Sequence, residues 1–384
     1  MLVKIEKIVN GGYGIARIEG RTCLVPFSVP GDILDVECGE GQDAIFGWIK
    51  EIVRPSSYRR LSDCPVFMRC GGCDFDHMKY TLEIEVKKGI LLEDLSRIAK
   101  AVDPEKLDLL FDREYGYRNH AQFKVDKHGN VGFFEKKSHA VVSLPEKGCL
   151  LLRMEINDYV ARMIERVRKE ISFPRGGFRV RVNEAGIISQ KGIPGIPSDS
   201  HCYHSASGLR LRTNIEDFFQ INSFLIGSWL NRIVNYLQPK SGDVVADVFC
   251  GSGIISLTIA RKVRSVLGIE LNKNAVINAR YNARENGIEN VRFVHLRADK
   301  GIGELSGGEK IVINPPRAGL SPGLIADITQ LTPDVVVYAS CDTATFSRDV
   351  KMFHERGYRL REVTLVDMFP RTTHIEVVSR LTPG

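Results

Sequence analysis

The chain has 384 residues, 43% of them hydrophobic and 26% charged, with a formal net charge of +6. That length gives two or three domains with ample material for a packed core, and that balance is the composition of a globular protein. No run nears the roughly 20 apolar residues that span a bilayer, which excludes a membrane partner. Met1 to Asn10 mixes Lys4, Glu6 and Lys7 into its apolar residues, so a secretory leader is not expected and a cytoplasmic location is. The mild basic excess is compatible with an anionic partner but does not by itself name one.

In chain order, the first 57 residues read as short strands separated by glycine turns: Val3–Ile5, Gly14–Ile18, Thr22–Val25, Ile33–Val36 and Ile45–Ile49. Five strands at this spacing suggest a small barrel of the OB type, and Pro55-Ser56-Ser57 marks its end. Residues 58–212 form a mixed α+β central region. An amphipathic helix is expected over Leu82–Lys100, with strands at Ala121–Val125, Val131–Phe134 and Phe178–Val182. The turn-rich stretch Gly192 to Pro197 leads out of it.

From residue 213 buried strands alternate regularly with helices, the signature of a doubly wound α/β domain on a mostly parallel sheet. Strands are expected at Val244–Phe249, Ser265–Leu271, Val291–Leu296, Lys310–Ile313 and Val335–Ala339. Helices are expected at Phe224–Leu237, Ile254–Lys262 and Ala275–Asn286. Arg361–Met368 and Thr373–Leu381 read as a terminal antiparallel pair.

Three constellations carry chemistry. The first is Asp247-Val248-Phe249-Cys250-Gly251-Ser252-Gly253 between a strand and a helix, with Glu270 ending the next strand. Glycines there let a ligand approach the backbone, and the acid can accept from ribose hydroxyls. One glycine is missing from a dinucleotide fingerprint, so a nicotinamide site is the weaker match. The second is Asn314-Pro315-Pro316-Arg317-Ala318-Gly319-Leu320 and Ser340-Cys341-Asp342, both at strand ends on the ligand edge of the sheet, with His374-Ile375-Glu376 opening a later strand. The third is Cys64-x5-Cys70-x2-Cys73 with Cys149 far downstream, four thiolates that suit either a [4Fe-4S] cluster or structural zinc. Nine cysteines in a reducing compartment argue against a disulfide framework.

Together with Phe218-Phe219-Gln220-Ile221-Asn222, these motifs resemble the RNA 5-methyluridine methyltransferase family across essentially the whole chain. The resemblance implies a class I methyltransferase fold preceded by a TRAM barrel. It implies S-adenosylmethionine held by Gln220, Phe249, Gly251, Gly253, Glu270, Asp299 and Asn314, and a [4Fe-4S] cluster on Cys64, Cys70, Cys73 and Cys149. It makes Cys341 the nucleophile and Glu376 the base, acting as a monomer on ribosomal or transfer RNA. A thiolate adding to carbon 6 of uracil makes carbon 5 nucleophilic, and a carboxylate suits removal of the carbon 5 proton. One position departs from the pattern: the family carries an acid where this chain has Asn314, and an N-P-P sequence also occurs in amino-group methyltransferases. The alternatives are therefore an RNA cytosine or amine methyltransferase, which would leave an amine enzyme's Cys341 unexplained, and a non-catalytic RNA-binding protein. Candidate RNA contacts are the barrel, Tyr117-Arg118-Asn119-His120, and Arg54, Arg59 and Arg60.

Overall fold

The computed structural model describes residues 1–41, 44–100, 102–169, 176–193 and 195–384; Pro194 of the expected turn stretch lies outside them. The N-terminal unit has six strands rather than five: β1 (Leu2–Lys4), β2 (Lys7–Val9), β3 (Tyr13–Ile18), β4 (Arg21–Pro26), β5 (Ile33–Glu40) and β6 (Ile45–Arg54), ordered β1-β5-β6-β4-β3-β2. The extra strand, Lys7–Val9, is three residues long, too short to show an alternation in sequence. It also closes the barrel. Between β1 and β2 the Ile5 N–H donates to Asp32 O at 3.0 Å and the Glu6 N–H to Ile15 O at 2.8 Å, so one bent strand joins both edges of the sheet.

The central region begins with α1 (Tyr80–Asp94), which runs on through a π-helical turn, Leu95–Ala99, into β7 (Lys106–Leu110). Then come β8 (His120–Val125), β9 (Val131–Phe134), β10 (Val141–Ser143), α2 (Met154–Lys169), β11 (Phe178–Val182) and β12 (Ile188–Lys191). These five strands form a sheet ordered β10-β9-β8-β11-β12. Ile156 and Val160 of α2 pack on it among Phe123, Phe178 and Val180, all buried. The hairpin β13 (His201–Ala206) and β14 (Leu209–Asn214) leads into the last unit.

That unit comprises α3 (Ser223–Leu237), β15 (Val244–Val248), α4 (Ile254–Ala260), β16 (Ser265–Glu270), α5 (Lys273–Glu285), β17 (Val291–His295), α6 (Ala298–Ile302), β18 (Lys310–Ile313), α7 (Pro322–Gln330), β19 (Val336–Ser340), α8 (Thr343–His354), β20 (Tyr358–Val366) and β21 (Glu376–Pro383). Its eight-stranded sheet is ordered β17-β16-β15-β18-β19-β21-β20-β7. The first five run parallel, and the inner four of them, β16, β15, β18 and β19, are buried along most of their length, which is why they read as largely apolar runs. The chain winds outward from β15 to β17, then returns to the other side of β15 with β18. That reversal makes a crevice at the carboxyl ends of β15 and β18, where open α/β sheets bind ligands.

The edge strand β7 comes from the central region and pairs parallel with β20. Val86, Ile90 and Leu91 of α1, and Leu95 beyond it, share a core with Phe346, Val350 and Phe353 of α8. Each such buried side chain contributes about 1.5–3 kcal/mol. Residues 80–110 are thus built into the same unit as residues 213–384. Among the described residues no helix is long and apolar enough to cross a membrane.

Candidate active site

The loop after β15 turns sharply. Phe249, Gly251 and Gly253 all adopt positive φ, at 65°, 54° and 88°. The N–H groups of Phe249 and Cys250 both donate to Ile269 O, tying the loop to β16. A Cβ on Gly253 would meet Phe293 Cζ at 2.8 Å, so this glycine is required for close packing of α4 against β17. Glu270 completes the loop. One carboxylate oxygen accepts the Gly251 N–H at 3.0 Å and the other the Asn272 N–H at 2.6 Å, leaving lone pairs free for a ligand's hydroxyls. Beneath the loop Asp247 is fully buried, accepts from Ser256 Oγ at 2.5 Å, and is pushed up to about 7 by desolvation.

Asn314 follows β18 directly, its N–H donating to Val248 O at 3.2 Å. The following Pro315–Leu320 segment is held from α8: Asp349 accepts the Leu320 N–H and the Tyr338 hydroxyl, each at 2.8 Å, while Arg348 donates to Ala318 O at 2.9 Å.

The two catalytic candidates meet through strand register. β19 pairs antiparallel with β21, with Ser340 opposite Val377. One step further, Cys341 leaves β19 where Glu376 enters β21. Glu376 is 3% exposed, and burial alone pushes its carboxyl up to about 8. Burial likewise pushes the half-buried Cys341 thiol up, as does the Glu376 charge, while the Arg317 guanidinium draws it back down. Arg317 in turn stands 3.3 Å from the His374 ring nitrogens.

One cavity of about 1240 Å³ joins these parts. Gln220, Phe249, Gly251, Glu270, Asn314, Cys341 and Glu376 all line it. Gln220 is buried, its side-chain Oε1 has no partner, and its backbone carbonyl accepts from Asn119 Nδ2 at 2.9 Å. A buried acceptor left without a partner at a cavity wall is a fit for a ligand's donor. Gly253 acts from behind, through the packing described above. Asp299 departs from expectation: it lies outside the lining, and its carboxylate accepts from Arg297 Nε at 3.1 Å in a solvent-facing pair.

Cys64, Cys70, Cys73 and Cys149 line the same cavity, all as free thiols. Burial pushes Cys70, Cys73 and Cys149 up, Cys149 to about 11. Among the described residues no three His, Cys, Asp or Glu side chains are drawn together as a single-ion site.

Several expected RNA contacts turn out to be joints. Tyr117 is fully buried, with its hydroxyl donating to Pro370 O, and Asn119 holds Gln220 and Ser223. Arg59 is paired with the buried Asp32 of the barrel. Arg118 alone of Tyr117–Asn119 lines the cavity with His120. Sequence reading missed the buried ionic group Glu83, Lys87, Asp367 and Arg371 behind the site, because no motif marks it.

The chain is similar to known proteins along its whole length. It matches the family described as tRNA (Uracil-5-)-methyltransferase over residues 206–308 and 304–382. Residues 1–42 match the TRAM domain of tRNA (uracil(54)-C(5))-methyltransferase. An "uncharacterized RNA methyltransferase" of Leptospira interrogans is 32% identical, with 99% of this chain and 94% of the relative covered. The 23S rRNA (uracil(1939)-C(5))-methyltransferase RlmD of Photorhabdus laumondii is 29% identical over 97% and 94%. The Pyrococcus abyssi tRNA (uracil-54, C5)-methyltransferase, crystallised with S-adenosyl-L-homocysteine, superposes with a TM-score of 0.77 over 100% of both chains at 23% identity, which shows the fold.

Proposed function

The chain belongs to the RNA (uracil-C5)-methyltransferase family, and we propose that Cys341 and Glu376 carry the reaction at a uridine of ribosomal or transfer RNA. The observation that carries this reading is their register: nucleophile and carboxylate leave adjacent antiparallel strands into the cavity that also holds the glycine loop and Glu270.

S-Adenosylmethionine, when bound, supplies an electrophilic methyl group. Gln220, Phe249, Gly251 and Glu270 would hold it, with Gly253 shaping the loop; the unpartnered Gln220 amide and the two oxygens of Glu270 fit a ligand with an amino acid end and a ribose. Asn314, tied to Val248 just before the loop and lining the same cavity, keeps an acceptor where a charge is absent and would hold cofactor or target base by hydrogen bonding.

Cys341 attacks carbon 6 as the thiolate, aided by the Arg317 charge, and the ring's electron pair moves so that carbon 5 becomes the nucleophile. After methylation, the Glu376 carboxylate takes the carbon 5 proton. The electrons of that bond restore the ring and expel the Cys341 thiolate. A carboxyl pushed up to about 8 is a stronger base than an exposed one once ionised; it is mostly protonated at pH 7, so elimination should quicken as pH rises towards 8, and a general base adds about 10²–10⁴ in rate. The uridine reaches this cavity by leaving its stack.

Cys64, Cys70, Cys73 and Cys149 would hold a [4Fe-4S] cluster. All four thiols line the same cavity, and, beyond burial, Cys149, Cys70 and Cys64 lie near enough for their charges to push Cys73 up, the proximity that a four-thiolate site requires. Methyl transfer needs no electron from it, so its part would be structural or RNA-positioning.

The test is a trap. Incubated with RNA and methyl-labelled cofactor, Glu376→Gln accumulates a labelled protein–RNA species that survives denaturing electrophoresis and vanishes when Cys341 is also replaced. Normal turnover of Glu376→Gln, or an adduct independent of Cys341, overturns the assignment. Nucleoside mass spectrometry separates 5-methyluridine from a cytosine or amine product.

A further inference from the structure

The segment that delivers Glu376 is not held by the methylase sheet alone. Arg371, five residues upstream, accepts through its backbone carbonyl from the N–H groups of Asp74 at 2.9 Å and Phe75 at 3.1 Å. The Thr373 N–H donates to Asp74 Oδ2 at 3.1 Å, and Asp74 Oδ1 accepts from Lys136 Nζ at 2.6 Å. Asp74 therefore fastens the 371–373 backbone from two sides, and it is the residue immediately after Cys73. The far side of the segment is fastened to α1. Lys87, fully buried, donates to Glu83 at 2.8 Å, Asp367 at 2.7 Å and Phe369 O at 3.1 Å, and the Arg371 N–H donates to Glu83 at 2.7 Å.

Arg371 itself has φ of 67°, a conformation an L side chain adopts only when its surroundings impose it. The imposing groups are those just named. Glu376 makes none of these contacts, yet its place beside Cys341 depends on where this strained segment ends.

We propose that Asp74 is a positioning residue for Glu376, so that the cysteine loop sets the geometry of proton abstraction more than that of methyl transfer. The inference rests on Glu376 being the base. Cys341, the glycine loop and Glu270 lie on β15, β16 and β19 and their ends, outside the hydrogen bonds that Asp74 makes. Loosening the 371–373 backbone thus slows the elimination that Glu376 starts more than attack and methylation, which it reaches only through the His374 ring beside Arg317.

The experiment uses the full-length protein purified without oxygen, its RNA substrate and methyl-labelled cofactor. Asp74→Ala is expected to lower kcat by about 10–100-fold, the effect of misplacing a reacting group by about an ångström. The KM for RNA should stay within about twofold, and the labelled Cys341 adduct should accumulate. Asp74→Asn keeps an oxygen for the Thr373 N–H and should restore most of the turnover. Hydrogen exchange over residues 369–376 should quicken in the alanine variant and not in the asparagine variant. Wild-type kcat, or a loss of kcat without adduct, overturns the proposal. Should Asp74→Ala fail to fold, Lys136→Met removes the ammonium that holds Asp74, and adduct accumulation is expected there too; its absence overturns the proposal. Glu376→Gln run alongside separates the two readings. If it traps the adduct and Asp74→Ala does not, positioning fails and the base stands. If neither traps it, the base assignment itself fails.

Discussion

Replacing Glu376 by glutamine should make the protein more stable while abolishing turnover. Burial raises this carboxyl from 4.5 to about 8. A group raised on folding binds more protons in the folded chain than in the unfolded one between those two values. Its stability contribution is therefore complete below pH 4.5 and is lost as pH rises through about 8. The whole shift corresponds to about 5 kcal/mol, and by pH 7 about 3 kcal/mol of it has already been lost, as the cost of keeping protonated an acid that the unfolded chain would ionise. Glutamine has nearly the same shape and no charge to suppress, so Glu376→Gln should gain about 3 kcal/mol at pH 7 and nothing at pH 4. For a unit of this size that is roughly 6–12 °C in Tm. Thermal unfolding of both proteins from pH 4.5 to 8.5 measures the difference. Equal Tm values across that range would show that Glu376 ionises normally and would remove the physical basis for its strength as a base.

Two further outcomes follow from the cavity. Glu270→Ala should weaken S-adenosylmethionine by roughly 1.5–3 kcal/mol, the range for hydrogen bonds to a charged group, and unchanged affinity by calorimetry would reject its role. Protein prepared without oxygen should contain iron and inorganic sulfide that are lost in Cys73→Ser; stoichiometric zinc without iron would reject the cluster.

Much of the methylase sheet was legible in sequence because its strands are buried on both faces and end in marked motifs. Val244–Val248, Ser265–Glu270 and Lys310–Ile313 each form where a run rich in Val, Ile or Leu leads to glycine, an acid or proline. What sequence hides is pairing between distant segments. Lys106–Leu110 carries no sign that it will add to β20, since a parallel edge partner is chosen by packing and not by local pattern. Lys87 sits on an amphipathic helix and reads as a solvated charge, yet it is buried against Asp367, 280 positions away. Asp299 is expected at the cofactor from the resemblance alone; the structure sets it outside the cavity lining, in a solvent-facing pair with Arg297.

The two buried acids of the methylase unit show why a raised pKa does not by itself name a base. Asp247, at about 7, and Glu376, at about 8, are both lifted chiefly by desolvation. Asp247 accepts the Ser256 hydroxyl and lies beneath the glycine loop, outside the cavity lining. No substrate proton can reach it, so its neutral form serves only to let the loop pack. Glu376 lines the cavity, and Cys341 enters that cavity from the adjacent strand. The same desolvation thus keeps one acid neutral beneath a loop and leaves the other within reach of a ligand, and access to the cavity is what divides them.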